Sequence, residues 1–488
     1  MLTRTGLMVA AILAPGPSAW PQDARNLALA GVARSWLENS GLTVSPHVVN
    51  DGNLTTWWGS NDPTPDPPKD IGIEWQEART FSCVRVHFFS MDYVPAVDGW
   101  RVETLVDDEW RAPPATVDNP DCERWTFRFP RVTAQAVRLV VSAYAGSRPA
   151  VREFEVYEQS PPDMQLRRAP LLDGAFWAFH YPHWAQRWDD AALAAEVDRA
   201  HAIGVDTLML YTVMGRDGEW ATVMPDAPLP QIAAWSGRDP LEVILSRADA
   251  LGMRAYLGDA PPTGYSLVGE EQTVMAASRE RLDAYRRALL ARYGAHPSLV
   301  GYYLNFELCP DNFGNDPAEP ARQVEQLAAF ISALRPDLEI VLPVGLYRWR
   351  DTPERNWRFV GPDEIRAFWR PFIAAVPDVD VIMVIDGCGT GLSPLALTDL
   401  NQAAVRAICD ELGKTMWTDV ECAVMGQGGY HSFPIGRLVP SIEVAAQHAN
   451  YLVTFDYPNY LSPTNGREPS ARLYEAYRVY RNTVLGRW

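Results

Sequence analysis

A chain of 488 residues is about three times a common domain length, so two or three domains are expected. Hydrophobic residues at 47% and charged residues at 21% give a globular composition, which excludes a disordered or fibrous chain. The 61 acidic against 43 basic residues leave a formal net charge of −18, which argues against a nucleic-acid or anionic-membrane partner.

In chain order, Met1 to Arg4 is a short positive start, Gly6 to Ala14 is apolar, and Pro17-Ser18-Ala19 offers a small-residue cleavage site. This is the grammar of a signal peptide over residues 1–22, and it predicts a secreted or periplasmic protein. No later run reaches the roughly 20 apolar residues of a membrane helix, so no membrane span is expected.

Residues 25–159 read as an antiparallel β-sandwich. Short strands are expected at Asp70–Trp75, Cys83–Phe89, Gly99–Leu105, Trp125–Phe129, Ala136–Ser142 and Val151–Tyr157. Apolar–polar alternation is clearest in CVRVHFF, AVRLVV and VREFEVY, with turn residues between the runs. The six cysteines show no CxxC or Cys/His metal spacing and read as small buried residues, with Cys83 and Cys122 as the one pair open to a disulfide. Ser160-Pro161-Pro162 reads as a linker.

From residue 165 to 488 strands and helices alternate. Strands are expected at Leu172–Ala178, Val205–Tyr211, Arg254–Gly258, Val300–Asn305, Glu339–Val344, Val379–Ile385, Thr415–Val420 and Tyr451–Phe455, each followed by an amphipathic helical stretch. Eight such pairs predict an α/β fold, a (β/α)8 TIM barrel with enlarged loops. A doubly wound sheet is the alternative, but no glycine-rich phosphate loop follows the first strand.

Barrel chemistry sits at the carboxyl ends of the strands. Those ends supply Trp177 and His180, Tyr211, Asp259, Asn305 and Glu307, Trp349, Asp386, Trp417, Asp419 and Glu421, then Tyr457 and Tyr460. Trp177, Trp349 and Trp417 are candidate sugar platforms. His180, Tyr211, Asn305, Asp386, Asp419, Tyr457 and Tyr460 are candidate substrate contacts. Glu307 and Glu421 follow strands four and seven, which face each other across the mouth. Two such carboxyls can protonate a leaving glycosidic oxygen and attack the sugar.

In this pair the chain resembles the superfamily of barrel glycosidases with an acid/base Glu on strand four and a nucleophile Glu on strand seven. The resemblance implies Glu307 as acid/base and Glu421 as nucleophile. One departure is that Phe306 separates Asn305 from Glu307, whereas that superfamily places Asn directly before the acid. The runs GYYLNFE, MVIDGCGTG, WTDVE and FDYPNYLSP also resemble a bacterial barrel family of unknown function grouped beside glycoside hydrolases.

NDGNLTTWWGS, DIGIEW and VREFEVY in the first region are similar to the discoidin, or coagulation factor type C, galactose-binding-like domain. That resemblance implies a structural calcium held by Asp51, Asn53, the backbone oxygen of Thr56, and Glu153. The alternative is an Asx-type turn with no ion. The expectation is therefore a secreted glycoside hydrolase, retaining, acting on a poly- or oligosaccharide with no cofactor for catalysis. The alternative is a carbohydrate-binding protein whose barrel has lost turnover. A metal-dependent hydrolase or esterase is a third, weaker alternative, since His-x-His after the first strand and Gly-x-Ser-x-Gly are both missing.

Overall fold

The computed structural model describes residues 26–37, 46–54, 56–59, 68–89, 93–96, 98–118, 120, 122–144, 149–159, 166–179, 187–216, 219–259, 270–306, 308–310, 317–346, 360–389, 393–426 and 429–486. The leader expected over 1–22 and the linker at 160–162 lie outside these residues.

The first region forms an antiparallel sheet. Its strands are β1 (Val32–Arg34), β2 (Trp58–Gly59), β3 (Lys69–Phe88), β4 (Trp100–Val106), β5 (Glu109–Arg111), β6 (Thr116–Asp118), β7 (Arg124–Val141) and β8 (Ala150–Tyr157). The path runs β2-β8-β3-β7-β4-β5, with β1 added to β3 and β6 to β7. The strands expected at 70–75 and 83–89 are one strand, β3, and those expected at 125–129 and 136–142 are one strand, β7. Their pairing shifts register between Glu74 and Arg79 and again between Phe81 and Cys83. Bulges of this kind bend a strand without ending its pairing. Ile71, Ile73, Val84, Val86, Phe127, Leu139, Phe154 and Val156, drawn from both halves of the long strands, share one core. Cys83 and Cys122 are buried free thiols, so the disulfide open to them is not formed in this structure.

The second region holds β9 (Gly174–Ala178), β10 (Thr207–Tyr211), β11 (Val213–Arg216), β12 (Glu219–Thr222), β13 (Arg254–Asp259) and β14 (Leu299–Leu304). It continues with β15 (Glu339–Gly345), β16 (Val381–Ile385), β17 (Thr415–Glu421), β18 (Ala423–Gly426), β19 (Gly429–Ser432) and β20 (Tyr451–Phe455). Its helices are α1 (Asp190–Ala202), α2 (Pro240–Leu251), α3 (Glu270–Tyr293), α4 (Ala318–Leu334), α5 (Pro362–Ala374), α6 (Leu395–Leu412), α7 (Ile435–His448) and α8 (Glu468–Val484). The strands β9-β10-β13-β14-β15-β16-β17-β20 close into a barrel, each paired in parallel with its neighbours.

Local signals explain these boundaries. Helix α2 starts where the Asp239 carboxylate caps the Glu242 N–H and Pro240 takes the first turn. It ends at Gly252, whose φ of 67° is the left-handed geometry of a glycine stop. Strands such as TLMLY and VIMVI are buried on both faces, as a helix-covered parallel sheet requires. Two hairpins, β11–β12 and β18–β19, rise after β10 and β17 and were not expected from the sequence. No helix among the described residues is long and apolar enough to cross a membrane.

Candidate active site

Strand parity decides which side chains reach the barrel mouth. Phe176 and Ala178, Met209 and Tyr211, Tyr303, Met383, Trp417 and Val453 share the barrel interior. Their neighbours Trp177, Leu210, Tyr302, Val384 and Leu452 pack outward under the helices. Side chains alternate along a strand, so Asp419 and Glu421 follow Trp417 inward and Asn305 follows Tyr303.

The loop after β16 wraps Glu421. It runs Asp386-Gly387-Cys388-Gly389, and Gly387 has a φ of 66°. At Gly389 an added Cβ would stand 1.9 Å from the Ala423 carbonyl oxygen and 2.9 Å from the Glu421 carboxylate. Only glycine lets the backbone approach so closely. The Gly389 N–H donates to Glu421 Oε2. Asp386 Oδ1 accepts from the Cys388 N–H at 3.0 Å and from the Glu421 N–H at 3.4 Å. Burial first, and then the neighbouring Glu421 charge, push the Asp386 carboxyl well above the usual carboxylate range.

Asn305 stands at the end of β14 with 4% of its surface exposed. Among the described residues neither its Oδ1 nor its Nδ2 has a hydrogen-bond partner. A buried amide left this way costs about 1–3 kcal/mol. Beneath it lies an aromatic layer. The Tyr211 hydroxyl donates to Tyr303 at 3.2 Å, and their rings stack at 5.5 Å. Phe176 contacts both rings at 5.2 Å and Phe455 at 5.7 Å. Tyr303, Phe176 and Phe455 were missed by sequence reasoning, because apolar residues on a doubly buried strand carry no mark of the face they take.

After β20, Asp456 is fully buried and caps a π-helical turn, Tyr457–Leu461. Its carboxyl accepts the Asn459 N–H at 2.9 Å and the Asn459 side-chain amide at 2.7 Å. Burial raises it to about 7 despite those bonds.

Several expected contacts sit elsewhere. Trp177 is fully buried and stacks on Tyr457 at 5.4 Å in the outer layer, so neither offers a ring face to a sugar in this structure. Tyr457 donates to Glu196 at 3.0 Å. Tyr460 is 5% exposed and belongs to the same outer cluster. Trp417 lies deep in the interior against Tyr256 and Tyr451. It precedes Glu421 by two inward steps, about 13 Å of strand, and so lies far below the mouth. Asp259 turns outward, where Arg286 donates to it at 2.7 Å and Tyr302 at 3.1 Å. His180, Glu307 and Trp349 lie outside the described residues. The structure therefore brings Tyr211, Asn305, Asp386, Asp419 and Glu421 to the mouth.

At the other expected site, the Asp51 carboxylate accepts from the Asn53 N–H at 2.8 Å and the Thr56 hydroxyl at 3.0 Å. Glu153 Oε1 accepts the Gly52 N–H at 3.3 Å, and its buried Oε2 has no partner among the described residues. Burial, followed by the Glu155 charge, raises Glu153 to about 9. Among the described residues no group of three or more His, Cys, Asp or Glu is arranged for a metal. The orphaned carboxylate oxygen beside Asp51 nevertheless fits a hard cation whose remaining ligands are amide and carbonyl oxygens.

Residues 172–467 match the family described as "Domain of unknown function (DUF4434)", and the chain belongs to that family. No curated protein sequence matches it. Among solved structures it is similar to a candidate alpha-L-fucosidase from Bacteroides thetaiotaomicron VPI-5482, at 16% identity and a TM-score of 0.54, over 65% of this chain and 97% of that one. An endo-1,4-beta-D-mannanase from Thermotoga petrophila RKU-1 aligns at 13% identity and a TM-score of 0.45, over 64% of this chain and 99% of that one. The family 32 carbohydrate-binding module of C. perfringens NanJ aligns with 28% of this chain and 99% of its own, at 13% identity and a TM-score of 0.24. The first likeness establishes the barrel fold; the other two carry no argument.

Proposed function

We propose that the protein is an exported glycoside hydrolase whose site is the barrel mouth. The observation that carries this reading is the contact of Asp386 with Glu421, with the Asn305 amide, unpartnered among the described residues, at the same end of the barrel. Two adjacent carboxyls hold one proton more readily than two charges, and burial assigns that proton to Asp386. Glu421 is then the carboxylate that attacks the anomeric carbon, and Glu307 is the acid that protonates the leaving oxygen. A sugar hydroxyl would complete Asn305, with the buried aromatic layer as the apolar floor beneath it.

The test is hydrolysis of a panel of oligosaccharides and aryl glycosides. Glu421→Ala is expected to abolish turnover. Glu307→Ala is expected to spare aryl glycosides with good leaving groups and to regain turnover with azide. Equal loss in both variants on every substrate, without azide rescue, would remove this assignment of roles.

We also propose that Asp51, Asn53, Thr56 and Glu153 hold a structural calcium, following the discoidin resemblance. Binding needs Glu153 ionised, yet without a cation that carboxyl stays neutral to about pH 9. Chelator is therefore expected to lower the melting temperature more at about pH 8 than at about pH 5. An unchanged melting curve at both pH values, with no calcium by elemental analysis, removes the site.

A further inference from the structure

We infer that Glu123, in the N-terminal sheet region, is a positioning residue for Glu421 of the barrel, acting through Arg437 and the peptide group between Cys388 and Gly389. The inference rests on the reading of Glu421 as the attacking carboxylate. Arg437 stands on α7, and its Nη2 donates both to Glu123 Oε1 at 3.0 Å and to the Cys388 carbonyl at 2.8 Å. The ion pair is buried, with side-chain exposures of 7% and 8%.

The Cys388 carbonyl and the Gly389 N–H are the two ends of one planar peptide unit. Arg437 holds the oxygen end, and the hydrogen end donates to Glu421 Oε2. A rotation that frees the carbonyl from Arg437 swings the N–H off the carboxylate. Orientation at Glu421 therefore depends on where the guanidinium is held.

Glu123 holds it. A buried arginine without a counter-charge is strongly destabilised, so the guanidinium stays where the carboxylate is. The Glu123 backbone is anchored in turn, since its carbonyl accepts the Phe88 N–H at 2.8 Å. Phe433 lies 4.6 Å from the guanidinium carbon, and Cys122, Cys388, Leu395 and Val444 pack as one apolar cluster on both sides of the contact. Gly389 has no slack to absorb a shift, because the Ala423 carbonyl already abuts its α-carbon. On this account the N-terminal sheet completes the barrel site instead of being carried beside it.

The test compares the full-length protein with Glu123→Gln and with the double variant Glu123→Leu/Arg437→Met, which removes both buried charges and keeps the apolar volume. Steady-state kinetics are read together with backbone amide exchange at Gly389. Glu123→Gln is expected to lower kcat about tenfold with KM unchanged, and to speed exchange at Gly389 about tenfold. The double variant is expected to recover the melting temperature but to keep the low kcat and fast exchange, because the Cys388 carbonyl still lacks its donor. Wild-type kcat and wild-type exchange in either variant overturn the inference. If the wild-type protein hydrolyses no glycoside, the exchange arm decides alone. Faster exchange then supports the relay while the glycosidase reading falls, and unchanged exchange removes the relay.

Discussion

The two ends of the barrel treat their polar groups in opposite ways. At the amino-terminal end, Thr207, Arg254, Glu339 and Tyr451 are each the first residue of a strand. They form a closed set. Tyr451 donates to Asp206 at 2.7 Å and shares a 2.7 Å hydrogen bond with Thr207, while Glu339 takes both Tyr256 and Arg254. At the carboxyl end, Asn305 is buried without a partner among the described residues, and burial raises the carboxyls of Asp386 and Asp456, the latter to about 7. Satisfied polar groups stabilise, and a buried group without a partner is a candidate for completion by a ligand. The contrast marks the carboxyl end as the candidate working face.

The largest effect expected from this contrast is in the pH dependence of stability. Below about pH 4 the Asp456 carboxyl is protonated in the folded and unfolded chains alike. Its folded value is raised to about 7, so across the window between, only the unfolded chain ionises it. Stability should therefore fall as pH rises from about 4 to about 7 and level off above. Asp456→Asn should remove that slope in chemical denaturation run at several pH values. A variant with the wild-type slope would mean that Asp456 is ionised in the fold and that the mouth is better solvated than its burial implies.

Next in size is Asn305→Ala. Loss of a substrate contact should lower kcat/KM about 10- to 100-fold, while removal of an unpartnered amide should leave stability unchanged or raise it by up to about 1 kcal/mol. Should the variant instead melt well below the wild type with its activity intact, Asn305 is a structural residue and the contrast loses its central example.

The smallest effect belongs to the opposite end. Tyr451→Phe deletes the hydroxyl shared by Asp206 and Thr207 and should cost about 1 kcal/mol of stability. Because the change lies at the far end of the barrel from Glu421, kcat should stay at the wild-type value. A fall in kcat without a fall in stability would show the two ends to be functionally linked.

Much of the architecture was legible in the sequence. Each of the eight barrel strands begins and ends within about two residues of its expected place, because runs such as VIMVI sit between capped amphipathic helices whose period differs from theirs. The mouth residues were legible as a set of strand ends. Their orientation was not. In a strand covered on both faces, as in GAFWA, apolar residues alternate with apolar residues, so nothing marks Phe176 as inward and Trp177 as outward. Trp417 failed for a related reason, since its depth in the barrel depends on how the strands stagger when the sheet closes.

What the sequence determined by itself was local: strand and helix boundaries, glycine stops, and the acids gathered at strand ends, each fixed by interactions among residues a few positions apart. The tertiary structure alone decided which of those side chains share a space. Arg437 meets Glu123 across 314 positions, and the merging of two expected strands into β3 follows from its pairing with β7. Contacts of that separation arise only when the sheet and the barrel close, because no periodicity in the chain records which distant surface will cover a given face.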